Sequence, residues 1–215
     1  ELCTMLLDVG PIPTVSTRFL YNYNMIYHIV AIPKKEDLVI IINLRNYIYQ
    51  NDFRFKNKPL GSDTHMTIAE ADIDDTHIDI LKKKLLDNIE ALPFSLGEDE
   101  WVLTREDKGP NYKQENPYTW IALKFPKREA LFREVESVIE DMEINRNQEY
   151  ISNARKIENK EDEYIANHVN LSNYTRREKA DECWEYFNQN LPKKMEFNVL
   201  ALRDLKGNHL FELKY

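Results

Sequence analysis

Apolar residues along this chain fall into alternating strand-like and helix-like stretches, and the order of those stretches repeats. Residues 25–32 form an apolar run ending at Pro33, which predicts a strand. The next run, Leu38-Val39-Ile40-Ile41-Ile42, is β-branched and would pass for a strand on propensity alone. Its counterpart later in the chain decides otherwise: Leu131, Val135, Val138, Ile139 and Met142 recur at the three- and four-residue spacing of a helix. A helix is therefore predicted over 35–50, buried enough to tolerate its isoleucines. A polar connection over 51–64 carries Arg54, Lys56, Lys58, Pro59 and Gly61. A short strand over 65–68 follows. Ile78, Leu81, Leu85, Ile89 and Leu92 then form a helical stripe opened by Asp74 or Asp75 as N-cap. Residues 94–103 read as a strand, and 104–118 as a polar loop with Gly109, Pro110 and Pro117.

The repeat is visible in the residues themselves. Ile29-Val30-Ala31-Ile32-Pro33-Lys34-Lys35-Glu36-Asp37-Leu38 recurs as Ile121-Ala122-Leu123-Lys124-Phe125-Pro126-Lys127-Arg128-Glu129-Ala130-Leu131. Each copy then runs through a helix to a short strand headed by a histidine: His65-Met66-Thr67-Ile68 and His168-Val169-Asn170-Leu171. An amphipathic segment, a Leu-Pro pair (Leu92-Pro93, Leu191-Pro192) and another strand follow in both. In the second copy Thr175-Arg176-Arg177-Glu178 has the form of a capping box, with Ala180, Cys183, Trp184 and Phe187 as the apolar stripe behind it. Residues 195–205 and 210–214 read as a hairpin turning at Gly207-Asn208. The order β-α-β-α-β, then β-α-β-α-β-β, predicts an α+β protein of two pseudo-symmetric βαβ-type lobes. Residues 1–24 form an irregular lead-in, and 25–215 one bilobal domain with halves at about 25–118 and 119–215. A polar stretch over 143–167 has no counterpart. It reads as a solvated insertion or as a lid beside the second histidine.

The bulk numbers narrow the partners. At 215 residues, 42% hydrophobic and 31% charged, the chain has the composition of an ordinary globular protein. No apolar run reaches the length of a membrane span, and no signal peptide is expected from the first residues. Cys3 and Cys183 form neither a disulfide framework nor a zinc pattern, so a cytoplasmic or similarly reducing compartment is the expectation. A formal net charge of -8 argues against coating long nucleic acid, because phosphate neutralisation needs a basic face. A small phosphorylated ligand held by a few local cations remains compatible with that charge.

The two histidine strands carry the candidate chemistry. Alternation puts His65 and Thr67 on one face, with Met66 and Ile68 on the other. His168 and Asn170 share a face in the same way, opposed by Val169 and Leu171. One neutral imidazole can take a proton from an attacking hydroxyl or water, and one imidazolium can give a proton to a leaving alkoxide. The Thr67 hydroxyl and the Asn170 amide can donate to phosphate oxygens as charge builds there. No metal and no cofactor is required. His28, His77 and His209 lack matching partners and read as structural or surface residues.

This arrangement resembles the 2H phosphoesterase superfamily, which includes bacterial 2',5' RNA ligase-like proteins and cyclic phosphodiesterases. The family's mark is a pair of His-x-Thr/Ser-x strands in two lobes around a central cleft. His65-Met66-Thr67-Ile68 matches that pattern; His168-Val169-Asn170-Leu171 departs from it at Asn170, where Thr or Ser is usual. The resemblance covers roughly residue 25 to the end of the sequence. It implies antiparallel-rich sheets around the cleft and metal-independent cleavage of RNA-type phosphodiesters. Implied substrates are short 2',5'-linked or cyclic nucleotides, such as 2',5'-oligoadenylate or 2',3'-cGAMP, and some viral members destroy such signals to blunt host immunity. RNA-end processing and a nucleotide-binding module without turnover are the alternatives. Tyr174 is a candidate to stack on a base, and Arg54, Lys56, Arg176 and Arg177 are candidates to meet phosphates. Tyr112 and Lys113 are candidates to close over a ligand. Trp101 and Trp120 read as core.

Overall fold

Pro33 ends the first strand, and the chain turns into a helix two residues later, as the repeat predicts. A computed structural model describes residues 25–55, 64–110, 114–124, 129–146 and 168–215. The strands are β1 (Met25–Pro33), β2 (Met66–Ile73), β3 (Phe94–Gly97), β4 (Val102–Lys108), β5 (Tyr118–Lys124), β6 (Asn145–Arg146), β7 (His168–Arg176), β8 (Lys194–Asp204) and β9 (His209–Lys214). The helices are α1 (Lys35–Gln50), α2 (Ile78–Asn88), α3 (Glu129–Asp141) and α4 (Ala180–Asn190), with short 3-10 turns ahead of α2 and α4. Asp74 opens the first of these turns, its carboxylate accepting from the Thr76 backbone amide at 2.8 Å. No described helix is long and apolar enough to cross a membrane.

The fold is α+β, built on two antiparallel sheets. The larger has the order β3-β8-β1-β2-β6, with β9 also on β8; the smaller has the order β4-β5-β7. β8 pairs along one edge with β1, from Phe197 to Asp204. Along its other edge β3 and β9 lie end to end, β3 against Lys194–Phe197 and β9 against Val199–Arg203. The two copies of the repeat therefore exchange their closing strands. β8, from the second copy, completes the sheet of β1 and β2; β4, which follows the first copy, completes the sheet of β5 and β7. Halves that are separate in sequence interleave in space.

One apolar core joins the two sheets through the four described helices. It takes Ile29 and Ala31 from β1, Met66 and Ile68 from β2, Ile121 and Leu123 from β5, and Val169 and Leu171 from β7. The helices add Ile41, Leu85, Val135 and Phe187. Phe187 and Phe197 are fully buried, and truncating a core phenylalanine to alanine costs about 3–5 kcal/mol. Among the described residues, the opposite face of the larger sheet carries a small separate cluster, Val30, Ile32 and Ala201, with Leu38 and Val199 against it.

Several expectations are corrected. The stretch 94–103 is not one strand: it breaks after Gly97, where the Glu100 amide bonds back to the Gly97 carbonyl at 3.0 Å, and β4 resumes in the other sheet. The polar run from Thr104 is therefore part of β4 rather than a loop; a sheet edge tolerates charge on both faces. Thr175 does not cap a helix. Its hydroxyl lies 2.8 Å from that of Ser172, both buried, because β7 continues through it to Arg176. α1 is buried along one side only, with Val39 and Ile40 exposed. Of the 143–167 stretch, Asn145 and Arg146 form β6 beside Asp72 and Ala71 of β2, and residues 147–167 lie outside the described residues.

Candidate functional site

On the larger sheet, cross-strand pairing fixes which face each side chain takes. Met66 lies opposite Ala31 and Thr67 opposite Val30, so Met66 enters the core and Thr67 the opposite face. His65, one residue before β2, continues the alternation onto the Thr67 face. It is anchored from behind: Arg45 of α1, itself buried, donates through Nη1 to the hydroxyl of buried Thr64. Arg203 of β8 lies on the same face, opposite His28, and its Nη1 is 2.8 Å from Nδ1 and 3.0 Å from Nε2 of His65. A guanidinium can only donate, so this contact uses a ring nitrogen that carries no proton. His28 Nε2 lies 3.3 Å from Glu70 Oε1 on that face too. The alternation Val199, Ala201, Arg203 in β8 was the signal that could have found Arg203 in the sequence.

On the smaller sheet, His168 lies opposite Lys124 and Asn170 opposite Ala122, with Val169 opposite core Leu123. Both histidine pairs thus sit on faces turned away from the shared core. Trp120 binds the second pair together. Its ring meets His168 edge-on, with centroids 5.2 Å apart and planes at 85°. Its indole N–H donates to Asn170 Oδ1. Because indole is a donor only, this bond settles the amide's orientation: Oδ1 faces Trp120 and the Nδ2 hydrogens point elsewhere. Trp120 was expected in the core; it is half-buried on the opposite face, because the alternation that sends its neighbour Ile121 into the core turns Trp120 away from it. Lys124 and Lys108 place ammonium groups 5.7 and 5.9 Å from the Trp120 ring centroid.

Beyond the histidines, β7 carries a bulge. Thr119 pairs with Thr175 and Ile121 with Ser172, so Asn173 and Tyr174 together oppose Trp120. Tyr174 takes φ 61, a left-handed conformation that costs a bulky residue about 1–3 kcal/mol. The chain leaving α1 holds it there. The Phe55 amide donates to the Tyr174 carbonyl at 3.1 Å, the Arg176 amide to the Phe53 carbonyl at 2.8 Å, and Arg54 Nε to the Asn173 carbonyl at 2.7 Å. Arg54 is buried, and desolvation lowers its pKa. Its placement is that of a clamp on the bulge. Arg176 lies over Phe55, 4.7 Å from the ring centroid, and meets Asp52 at 3.3 Å. Exposed Arg177 donates to the Lys108 carbonyl at 3.3 Å. Lys56, Tyr112 and Lys113 lie outside the described residues.

β2 and β7 lie against each other where the two sheets meet. At the bulge, Lys108, Tyr118, Trp120, Asn173 and Tyr174 line a cleft of about 240 Å³. A second hollow of about 530 Å³, with Ile32, Leu38, Val199, His209 and Glu212 among its walls, lies on the far side of the larger sheet from the core. His209 is engaged with Glu212 at 2.7 Å, and His77 is exposed on its turn. Among the described residues, no three His, Cys, Asp or Glu side chains gather as metal ligands.

No protein-family model matches this chain, and no curated protein matches it. Among solved structures it is similar to Usb1 of Kluyveromyces marxianus, determined with uridine monophosphate. That likeness has 10% sequence identity and a TM-score of 0.39, and covers 90% of this chain and 100% of the other. A likeness of that degree carries no argument about activity.

Proposed function

We propose that this chain is a 2H-type phosphodiesterase that cleaves a short 2',5'-linked or cyclic nucleotide without a metal ion, using His65 and His168 as the acid–base pair. The observation that carries the reading is the equivalence of the two strands. Each has a histidine at its head, one residue before β2 and at the first position of β7, with a hydrogen-bonding side chain two residues on, on the face turned away from the core. In a 2',5' substrate, one imidazole removes the proton from the free 3'-hydroxyl as its oxygen attacks phosphorus. The bond to the 5'-oxygen breaks, and the other imidazolium protonates that oxygen. The resulting 2',3'-cyclic phosphate is opened by water with the roles reversed. The Thr67 hydroxyl and the Asn170 Nδ2 hydrogens donate to the non-bridging oxygens, and Arg203 adds a fixed positive charge beside His65.

The test incubates the protein, with EDTA present, with 2',5'-oligoadenylate, 2',3'-cGAMP, 3',3'-cyclic dinucleotides and a 2',3'-cyclic nucleotide. Cleavage of a 2',5' or cyclic dinucleotide bond is expected. It should be lost in both His65→Ala and His168→Ala. Cleavage abolished by EDTA would overturn the metal-free mechanism, and cleavage surviving in both variants would overturn the site. Turnover of the 2',3'-cyclic nucleotide alone would redirect the reading to RNA-end processing. Unchanged nucleotides with measurable binding would leave a binding module. A signalling nucleotide among the cleaved substrates would fit a role in countering host immune signalling, in a cytoplasmic setting.

A further inference from the structure

We propose that the cleft at the β7 bulge is a nucleobase subsite, which holds one base of the substrate between the Trp120 and Tyr174 rings. The inference rests on the phosphodiesterase reading, because a phosphate at the histidines determines where its base must lie. Four features converge there. Three aromatic rings line the cleft, with Tyr118 and Tyr174 centroids 4.9 Å apart and tilted by 57°. The extra residue of the bulge turns Asn173 and Tyr174 toward it, opposite Trp120. Bulges recur beside active sites because they re-aim side chains in this way. The same Trp120 that walls the cleft touches His168 and Asn170, so a base there lies one ring away from the second catalytic pair. The volume, about 240 Å³, is below the roughly 300–1,000 Å³ typical of drug-sized ligands, so it suits one base with part of its sugar rather than a whole dinucleotide.

The lining also defines the ligand's chemistry. Aromatic faces stack on any base. The Asn173 side chain offers a donor and an acceptor to a base edge, while its carbonyl is already taken by Arg54. Lys108 supplies a cation at the rim. Such a site selects the base over the sugar and phosphate.

The experiment titrates the protein with adenosine 5'-monophosphate and, separately, ribose 5-phosphate. It follows the three indole N–H signals by NMR, with that of Trp120 assigned from Trp120→Phe. Adenosine 5'-monophosphate should shift the Trp120 signal saturably, with ribose 5-phosphate at least tenfold weaker. Tyr174→Gly is the clean variant, since glycine adopts φ 61 without strain. It should weaken the nucleotide about tenfold and, in turnover, raise KM about tenfold with kcat within about twofold, in line with the loss of one stacking ring. Equal binding of the two probes, or turnover with KM unmoved in Tyr174→Gly, overturns the subsite and leaves the phosphodiesterase intact. Base-selective binding without turnover of any substrate supports the subsite and overturns the reaction.

Discussion

Trp120→Phe isolates the device that sets the Asn170 amide. Phenylalanine keeps an aromatic ring near His168 but removes the only hydrogen that Trp120 donates to Asn170 Oδ1. A neutral hydrogen bond contributes a net ~0.5–1.5 kcal/mol, and the site is half-buried, so water can take the vacated acceptor. Stability should therefore fall by about 1 kcal/mol or less, which lowers Tm by about 2–4 °C in a chain of this size. The effect on rate has a different origin. On the proposed mechanism, an amide without the indole can turn over and present oxygen, rather than N–H, to the phosphate. Losing ~1 kcal/mol of orientation corresponds to roughly a fivefold lower kcat. Asn170→Ala, which removes the donor altogether, should cost about 100-fold or more. The decisive assay repeats Trp120→Phe in an Asn170→Thr background, where a hydroxyl needs no indole to orient it. There the Trp120 substitution should leave kcat unchanged to within about twofold, the spread expected of uncoupled sites. An equal loss in both backgrounds would refute the coupling through Asn170.

Other substitutions probe the scaffold. Arg54→Met should destabilise the protein by about 1–3 kcal/mol in urea denaturation, because the Asn173 carbonyl loses its Nε donor in a buried place. Amide exchange at Phe55 and Arg176 should quicken in the same variant, and unaltered exchange there would show that Arg54 does not hold the bulge. Alkaline pH should unfold the protein by a readable route. Burial pushes the Tyr27 hydroxyl, the Tyr215 hydroxyl and the Cys183 thiol up to about 12, with an Asp75 hydrogen bond adding to the effect at Tyr27. Each neutral form is favoured by folding, so its contribution is complete below the ordinary values of 9.0 for the thiol and 10.0 for the phenols, and is lost as pH approaches 12. Tm should be flat from pH 7 to about 9 and then fall, less steeply in Tyr27→Phe or Tyr215→Phe; a flat profile to pH 11 would contradict this. Cys183, in a Cys3→Ser background, should resist a disulfide reagent at pH 8 until denaturant is added.

What the sequence made legible was what repeats. The helix over 35–50 was recovered with its bounds, because the second copy broke a tie that propensity alone would have lost. The closing hairpin followed from Gly207-Asn208, and Gly207 indeed takes φ 93. What escaped were features without a periodic signature. β4 is charged on both faces and looks like a loop until its place at a sheet edge is known. The Thr175 box has the spacing of a cap, but its hydroxyl is drawn to Ser172 once the chain after α1 pairs with β7. Trp120 was hidden for another reason: alternation sorts side chains into two faces without saying which face the helices will cover.

The exchange of closing strands also shapes how the protein is made. As the chain leaves the ribosome, β1 and β2 can pair early, but the other edge of β1 waits for β8, which is synthesised after every other described strand except β9. Until then Ile29, Val30 and Ala31, which end up fully buried, belong to a strand with an open edge able to pair with neighbouring chains. Neither half of the duplication can complete its own sheet, so nascent chains should depend on holding chaperones until β8 docks, and truncations that remove β8 should be found in aggregates rather than as folded half-proteins.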